Sequence, residues 1–160
     1  AEREQVAESV GTAAVRYADL SQNPQSNVTF TWDKMLSLEG NTAPFLMYSY
    51  ARCRSIQRKG EVTPSLDGLG AKGPFERALL MHLLRFGDMV AAAASAYRPN
   101  LLCDYLYEAA NVFNRFYREE RVLGAETEED KVRRLALVEA AAAVMSSGFG
   151  LLGISPLDRM

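Results

Sequence analysis

The chain has little with which to hold a metal: two cysteines and one histidine in 160 residues. Cys53 and Cys103 stand far apart, neither in a Cys-x-x-Cys pair, and His82 is remote from both in sequence. No zinc site is expected; two buried, reduced thiols are. Charge of one sign is lacking too. Eighteen Lys and Arg against 20 Asp and Glu leave a net charge of −2, so any affinity for nucleic acid must come from a local patch. No apolar run approaches the roughly 18 residues of a membrane span. The opening AEREQVAESV is charged and amphipathic rather than signal-like, so a cytoplasmic protein is expected, with no membrane partner. No nucleophile–base pair is visible, which disfavours an independent enzyme.

What is present is ordinary for a globular domain: 48% hydrophobic and 24% charged residues. Val6, Val10, Ala13, Ala14 and Tyr17 fall on one helical stripe and predict a helix over 2–20, with Gly11 marking close packing or a break. A helix that starts without a cap at the first residue is expected of a chain cut from something longer. SQNPQSN over 21–27 reads as a loop, and Val28 to Trp32 alternates like a short extended piece. Asp33 is placed to cap a short helix over 34–38. Residues 60–73, with four glycines and one proline in fourteen, form the clearest loop.

From Pro74 onward the pattern is helical. Leu79, Leu80, Leu83 and Leu84 are expected inward on the first helix, ending near Phe86-Gly87. The second runs over 88–97, its Ala91–Ala94 run suited to close helix approach. In the third, Leu102, Tyr105, Leu106, Ala109, Val112, Phe113 and Phe116 form one apolar stripe. Thr127 caps the last, which is apolar nearly all round from Leu135 to Met145 and should lie centrally, loosened at its end by Gly148 and Gly150. The acidic cluster Glu126, Glu128, Glu129 and Asp130 reads as that helix's N-terminus. It should lie away from any RNA-binding face. The fold class is all-α: a helical bundle with an N-terminal appendage.

The stretch from Trp32 to Lys59 carries the functional signal. After Glu39-Gly40, Asn41-Thr42 supplies capping oxygens and Pro44 sits in the first turn of a long helix. That helix bears Tyr48, Arg52, Arg54, Arg58 and Lys59, with no acid between Asn41 and Gly60. A tyrosine one turn ahead of cations suits a polyanion with stackable rings, which describes RNA. The same residues also fit an amphipathic helix with a solvated basic end, and taken alone they favour it.

Four runs of residues carry a resemblance that shifts this balance. They are Val10–Leu20; Phe30–Leu36 followed by Gly40–Arg52; Phe113-Asn114-Arg115-Phe116-Tyr117 with Val122-Leu123; and Leu151–Ile154 with Pro156, Arg159 and Met160. In order and spacing the chain resembles the C-terminal part of the arginyl-tRNA synthetases. The resemblance implies a bundle of the DALR anticodon-binding type over about 41–160, with residues 1–40 as the tail of a class I catalytic domain. It implies Tyr48, Tyr117 and Met160 as platforms for splayed bases of the tRNA(Arg) anticodon stem-loop. Arg52, Arg54, Arg58 and Arg159 are phosphate candidates from charge alone. Phe45 and Met47 depart from the family's usual tyrosine and glutamine, removing a hydroxyl and an amide near Tyr48. The His-x-Gly-His motif and an authentic lysine-methionine-serine-lysine loop are missing. This chain is therefore not expected to activate arginine; ATP and magnesium would be used by the parent enzyme, and the catalytic domain preceding it would be its partner. No DNA is expected as a partner, and the chain is expected to be a monomer. The competing expectation is a helical protein-interaction or assembly domain.

Overall fold

The computed structural model describes residues 2–25, 27, 31–60 and 70–160. Within these the chain forms seven helices: α1 (Glu2–Leu20), α2 (Trp32–Met35), α3 (Ala43–Gly60), α4 (Pro74–Leu84), α5 (Phe86–Ala96), α6 (Pro99–Glu119) and α7 (Glu128–Leu151). No strand occurs among the described residues. Val28, Thr29 and Phe30 of the expected extended piece, and 61–69 of the expected loop, lie outside them.

The bundle is centred on α3, α6 and α7, with α4 and α5 packed on α6 and α1 lying against α3 and α6. Helix α7 takes the central place its composition demands. Leu135, Ala136, Leu137 and Val138 are all fully buried, which an apolar circumference allows and an amphipathic one would not. Both α7 and the α4–α5 run are long and apolar enough to cross a membrane by length and composition. In this fold α7 instead packs against three other helices, and Arg85 separates α4 from α5.

Several local expectations are corrected. Gly11 neither breaks α1 nor packs against anything; a Cβ there would meet open space. Asp33 does not cap α2, because the helix begins two residues earlier than expected, at Trp32 behind Thr31, and holds Asp33 in its first turn. Helix α4 ends at Leu84, with Arg85 turning the chain into α5. Its buried stripe is Glu76, Leu79 and Leu83, while Leu84 stands about 100° beyond Leu83 and is exposed. Of Ala91–Ala94 only Ala93 is buried.

Gly148 does not loosen the end of α7, which runs on to Leu151. It is a contact point: a Cβ there would lie 2.5 Å from Leu106 Cδ2. Leu106 is itself buried to 1% exposure, so it has no room to yield. Gly148→Ala is expected to destabilise the chain by about 1–3 kcal/mol, read as a lowered urea midpoint. An unchanged midpoint would show that α6 and α7 can separate freely.

The N-caps of α3 and α7 agree with the sequence. Thr42 Oγ1 accepts from Phe45 N at 3.3 Å, and Thr127 Oγ1 from Asp130 N at 3.1 Å. Asn41 works elsewhere. Its Oδ1 lies 2.5 Å from the Tyr17 hydroxyl, which is also 2.9 Å from the Cys103 carbonyl, so one phenolic proton serves two acceptors. Asn41 Nδ2 donates to Asp104 at 3.0 Å. Gly40 just before it has φ +81°, a left-handed conformation that favours glycine at this turn. Tyr17 thus ties α1 to the start of α3 and to α6, and it is among the largest fully buried side chains. Burial, then the charge near Cys103 and Asp104, pushes its hydroxyl far above the ordinary tyrosine range.

The acidic start of α7 belongs to a network that the sequence reading did not anticipate. Glu76, 1% exposed, accepts from Arg133 Nε and Nη2 at 3.1 and 3.2 Å, from Arg134 Nε at 2.8 Å, and from Lys72 N at 2.8 Å. Asp130 shares that Arg133 Nη2 and Glu120 takes Arg134 Nη2, each at 2.6 Å, and Lys72 Nζ reaches Glu129 and Asp130.

Candidate nucleic-acid interface

Helices α3 and α6 run side by side in the same direction, and their contacts advance together along both. Near the start, Phe45 meets the Tyr107 ring edge-on, with centroids 5.6 Å apart. One turn on, Ser49 Oγ accepts from Asn114 Nδ2 at 3.0 Å. At the far end Arg52 Nη1 donates to Asn114 Oδ1 at 2.8 Å. Its guanidinium carbon lies 4.8 Å from the Tyr48 ring centroid and 5.9 Å from that of Tyr117.

The helical repeat explains this cluster. Tyr48 and Arg52 share a stripe at i, i+4, as do Phe113 and Tyr117, while Asn114 and Tyr117 are i, i+3. Phe113 is fully buried and its ring stacks on Tyr117 at 6.3 Å and 16°, so Tyr117 leans on the core while remaining half-buried. Tyr117 therefore both packs and faces outward. Tyr48 is 47% exposed. Two rings that share one cation form a surface on which a base can stack. Among the described residues the cation's partners are an amide and two rings, none of which cancels its charge.

The other arginines on α3 are engaged differently. Arg54 Nε lies 3.3 Å from Asp158 Oδ1, Arg58 Nη1 donates to the Asp158 carbonyl at 3.2 Å, and the Tyr50 hydroxyl donates to Asp158 Oδ1 at 3.1 Å. Residues 50, 54 and 58 form a stripe roughly 200° around the helix from Tyr48 and Arg52. They hold the tail that carries Arg159 and Met160. Both tail residues are exposed, Met160 to 46%. The structure thus unites Tyr48, Arg52 and Tyr117, and ties Asp158, the residue before Arg159 and Met160, to another side of α3. Met47 is fully buried, so a glutamine of nearly the same length at that position would face the bundle; Phe45 spends its ring on Tyr107.

Sequence reasoning missed Ser49, Tyr107 and Asn114. Asn114 was legible as the polar member one turn before Tyr117 in an otherwise apolar stripe, whereas Ser49 and Tyr107 give no sign before the helices are docked. His82 is a packed side chain, stacked on Tyr105 at 4.5 Å and 9°. Burial lowers its pKa below the ordinary histidine value. Both cysteines are buried and free.

Among the described residues no group of three or more His, Cys, Asp or Glu is placed to hold a metal. The one dense carboxylate cluster is already committed to Arg133, Arg134 and Lys72. Carboxylates spent in this way on arginine and lysine do not fit a magnesium ion.

The DALR anticodon binding domain matches residues 46–160. The arginine–tRNA ligase of Synechococcus sp. is 46% identical over 160 residues, covering 98% of this chain and 27% of that protein. Among solved structures, the arginyl-tRNA synthetase of Thermus thermophilus superposes with a TM-score of 0.89 at 32% identity, over 98% of this chain and 28% of that one. That of Plasmodium falciparum gives 0.86 at 28% identity with the same coverage. The chain therefore spans about a quarter of the length of these relatives. An all-helical bundle of this shape, with the family's sequence pattern running through α3 to its last residue, belongs to the DALR anticodon binding domain family.

Proposed function

We propose that this chain is the anticodon-binding part of an arginine–tRNA ligase. It positions tRNA(Arg) while a catalytic domain, joined through residues 1–40 and using ATP and magnesium, esterifies arginine. In this reading residues 41–160 form the RNA-binding domain, and the chain acts as a monomer in the cytoplasm. The observation that carries it is the Tyr48–Arg52–Tyr117 cluster: two accessible rings around a cation that no carboxylate among the described residues neutralises. Tyr48 and Tyr117 stack on splayed anticodon bases and Arg52 meets phosphate. Met160 and Arg159 approach from the tail, which Arg54 and Arg58 hold in place.

Tyr48→Ala and Tyr117→Ala are each expected to weaken binding of the tRNA(Arg) anticodon stem-loop by about 1–3 kcal/mol. Fluorescence anisotropy measures it, with circular dichroism confirming an intact fold; wild-type affinity should fall as salt rises. Unchanged affinity in both folded variants would remove the proposed site. A second reading, a protein-docking module, has one observation behind it. The outer side of α4 exposes Met81 and Leu84, and Tyr97, just past the end of α5, is 90% exposed. That reading predicts no response to added tRNA.

A further inference from the structure

The cations of this protein are paired with carboxylates in most of the places where the fold engages them. Arg54 faces Asp158; Arg133 and Arg134 share Glu76 and add Asp130 and Glu120; Lys72 reaches Glu129 and Asp130. Arg52 is held instead by a neutral amide, and the way that amide is oriented is built into α3.

Ser49 is fully buried and donates its single hydroxyl proton to the Phe45 carbonyl one turn back, at 3.0 Å. Toward α6 its oxygen can then only accept, so Asn114 must turn its Nδ2 to Ser49. The amide oxygen is left facing Arg52 and takes Nη1 at 2.8 Å. A flipped amide would put an NH2 group against a guanidinium, two donors with no acceptor between them. The chain Phe45 carbonyl, Ser49, Asn114, Arg52 therefore has one consistent direction. Its last member lies over both tyrosine rings.

We infer that Asn114 is a positioning residue: with Ser49 it fixes the Arg52 guanidinium between Tyr48 and Tyr117 while leaving its charge available to an RNA phosphate. Aspartate has nearly the same shape and would hold the guanidinium at least as firmly, but it would cancel the charge. Position 114 thus separates holding the cation from neutralising it. The inference rests on the RNA-binding reading above and adds to it two residues, Ser49 and Asn114, that contact no RNA.

The test uses the 160-residue chain carrying Asn114→Asp or Asn114→Ala, with affinity for the tRNA(Arg) anticodon stem-loop measured between 50 and 200 mM salt. Asn114→Asp is expected to bind at least fivefold more weakly at the low-salt end. The slope of log affinity on log salt should be shallower by about 0.7, the loss of one single-strand phosphate contact. A merely structural defect lowers the folded fraction and leaves that slope alone. In RNA-free protein, Asn114→Ala is expected to shift and narrow the range of Arg52 side-chain nitrogen signals by NMR, and Asn114→Asp to preserve a held guanidinium. A wild-type slope in Asn114→Asp, or Arg52 signals unmoved by Asn114→Ala, overturns the inference. If either result comes while Tyr48→Ala and Tyr117→Ala still lose affinity, the RNA site stands and only the role of Asn114 falls. If wild-type protein shows no salt-dependent binding, both fall together.

Discussion

Glu76→Gln is expected to cost the folded chain about 3 kcal/mol at neutral pH, at the low end of what breaking a buried ion pair costs. The substitution keeps the shape and one acceptor oxygen but removes the charge shared by Arg133 and Arg134. Each arginine retains a second carboxylate, Asp130 or Glu120, which keeps the loss from rising further. Burial alone would raise the Glu76 carboxyl; the bonds from Arg133, Arg134 and Lys72 N outweigh it and hold the pKa down at about 2. A carboxyl depressed in the folded state stabilises above its unfolded pKa, here about 4.5, and that contribution is lost as pH falls toward 2. Asp130, held low by Arg133, Thr127 and Lys72, acts in the same direction. Urea denaturation at pH 7 and pH 3 separates the outcomes. Wild type should lose much of the Glu76 contribution between the two, and the glutamine variant should show none of that part. Equal midpoints at pH 7 would mean the arginines need no central carboxylate.

Tyr17→Ala is expected to be as severe, about 3–5 kcal/mol, because it empties a large fully buried position and strands its partners. The Asn41 and Cys103 oxygens and the Asp104 link all lose their organiser. The experiment also bears on where the RNA-binding unit begins. If α1 is an appendage to a bundle that starts at residue 41, the variant should release α1 while the rest unfolds at the wild-type midpoint. If α1 is part of one cooperative core, a single transition moves down for the whole chain. The second outcome is expected. Tyr17 reaches α3 and α6 together, and Arg16 adds a bond to the Gly153 carbonyl at the end of α7. Hydrogen exchange resolved along the sequence distinguishes the two.

Much of this protein could be read before folding. The all-helical class, the central place of α7, the Thr42 and Thr127 caps and the apolar stripe of α6 follow from period, propensity and capping chemistry, all local properties. The family pattern in α3 and α6 likewise singled out Tyr48 and Tyr117. Local rules failed where a residue's surroundings come from distant parts of the chain. Gly148 loosens a helix by propensity but fits against Leu106 in the fold. Glu76 is an ordinary first-turn acid until α7 brings two arginines to it. Arg54 and Arg58 look equivalent to Arg52 in a run of cations, yet the tail returns Asp158 to them alone. That last difference separates an unneutralised cation between two rings from a pair of anchors for the C-terminus. Helical spacing sets which residues share a stripe; only the packing of α3 against α6 and the tail decides which stripe keeps its charge.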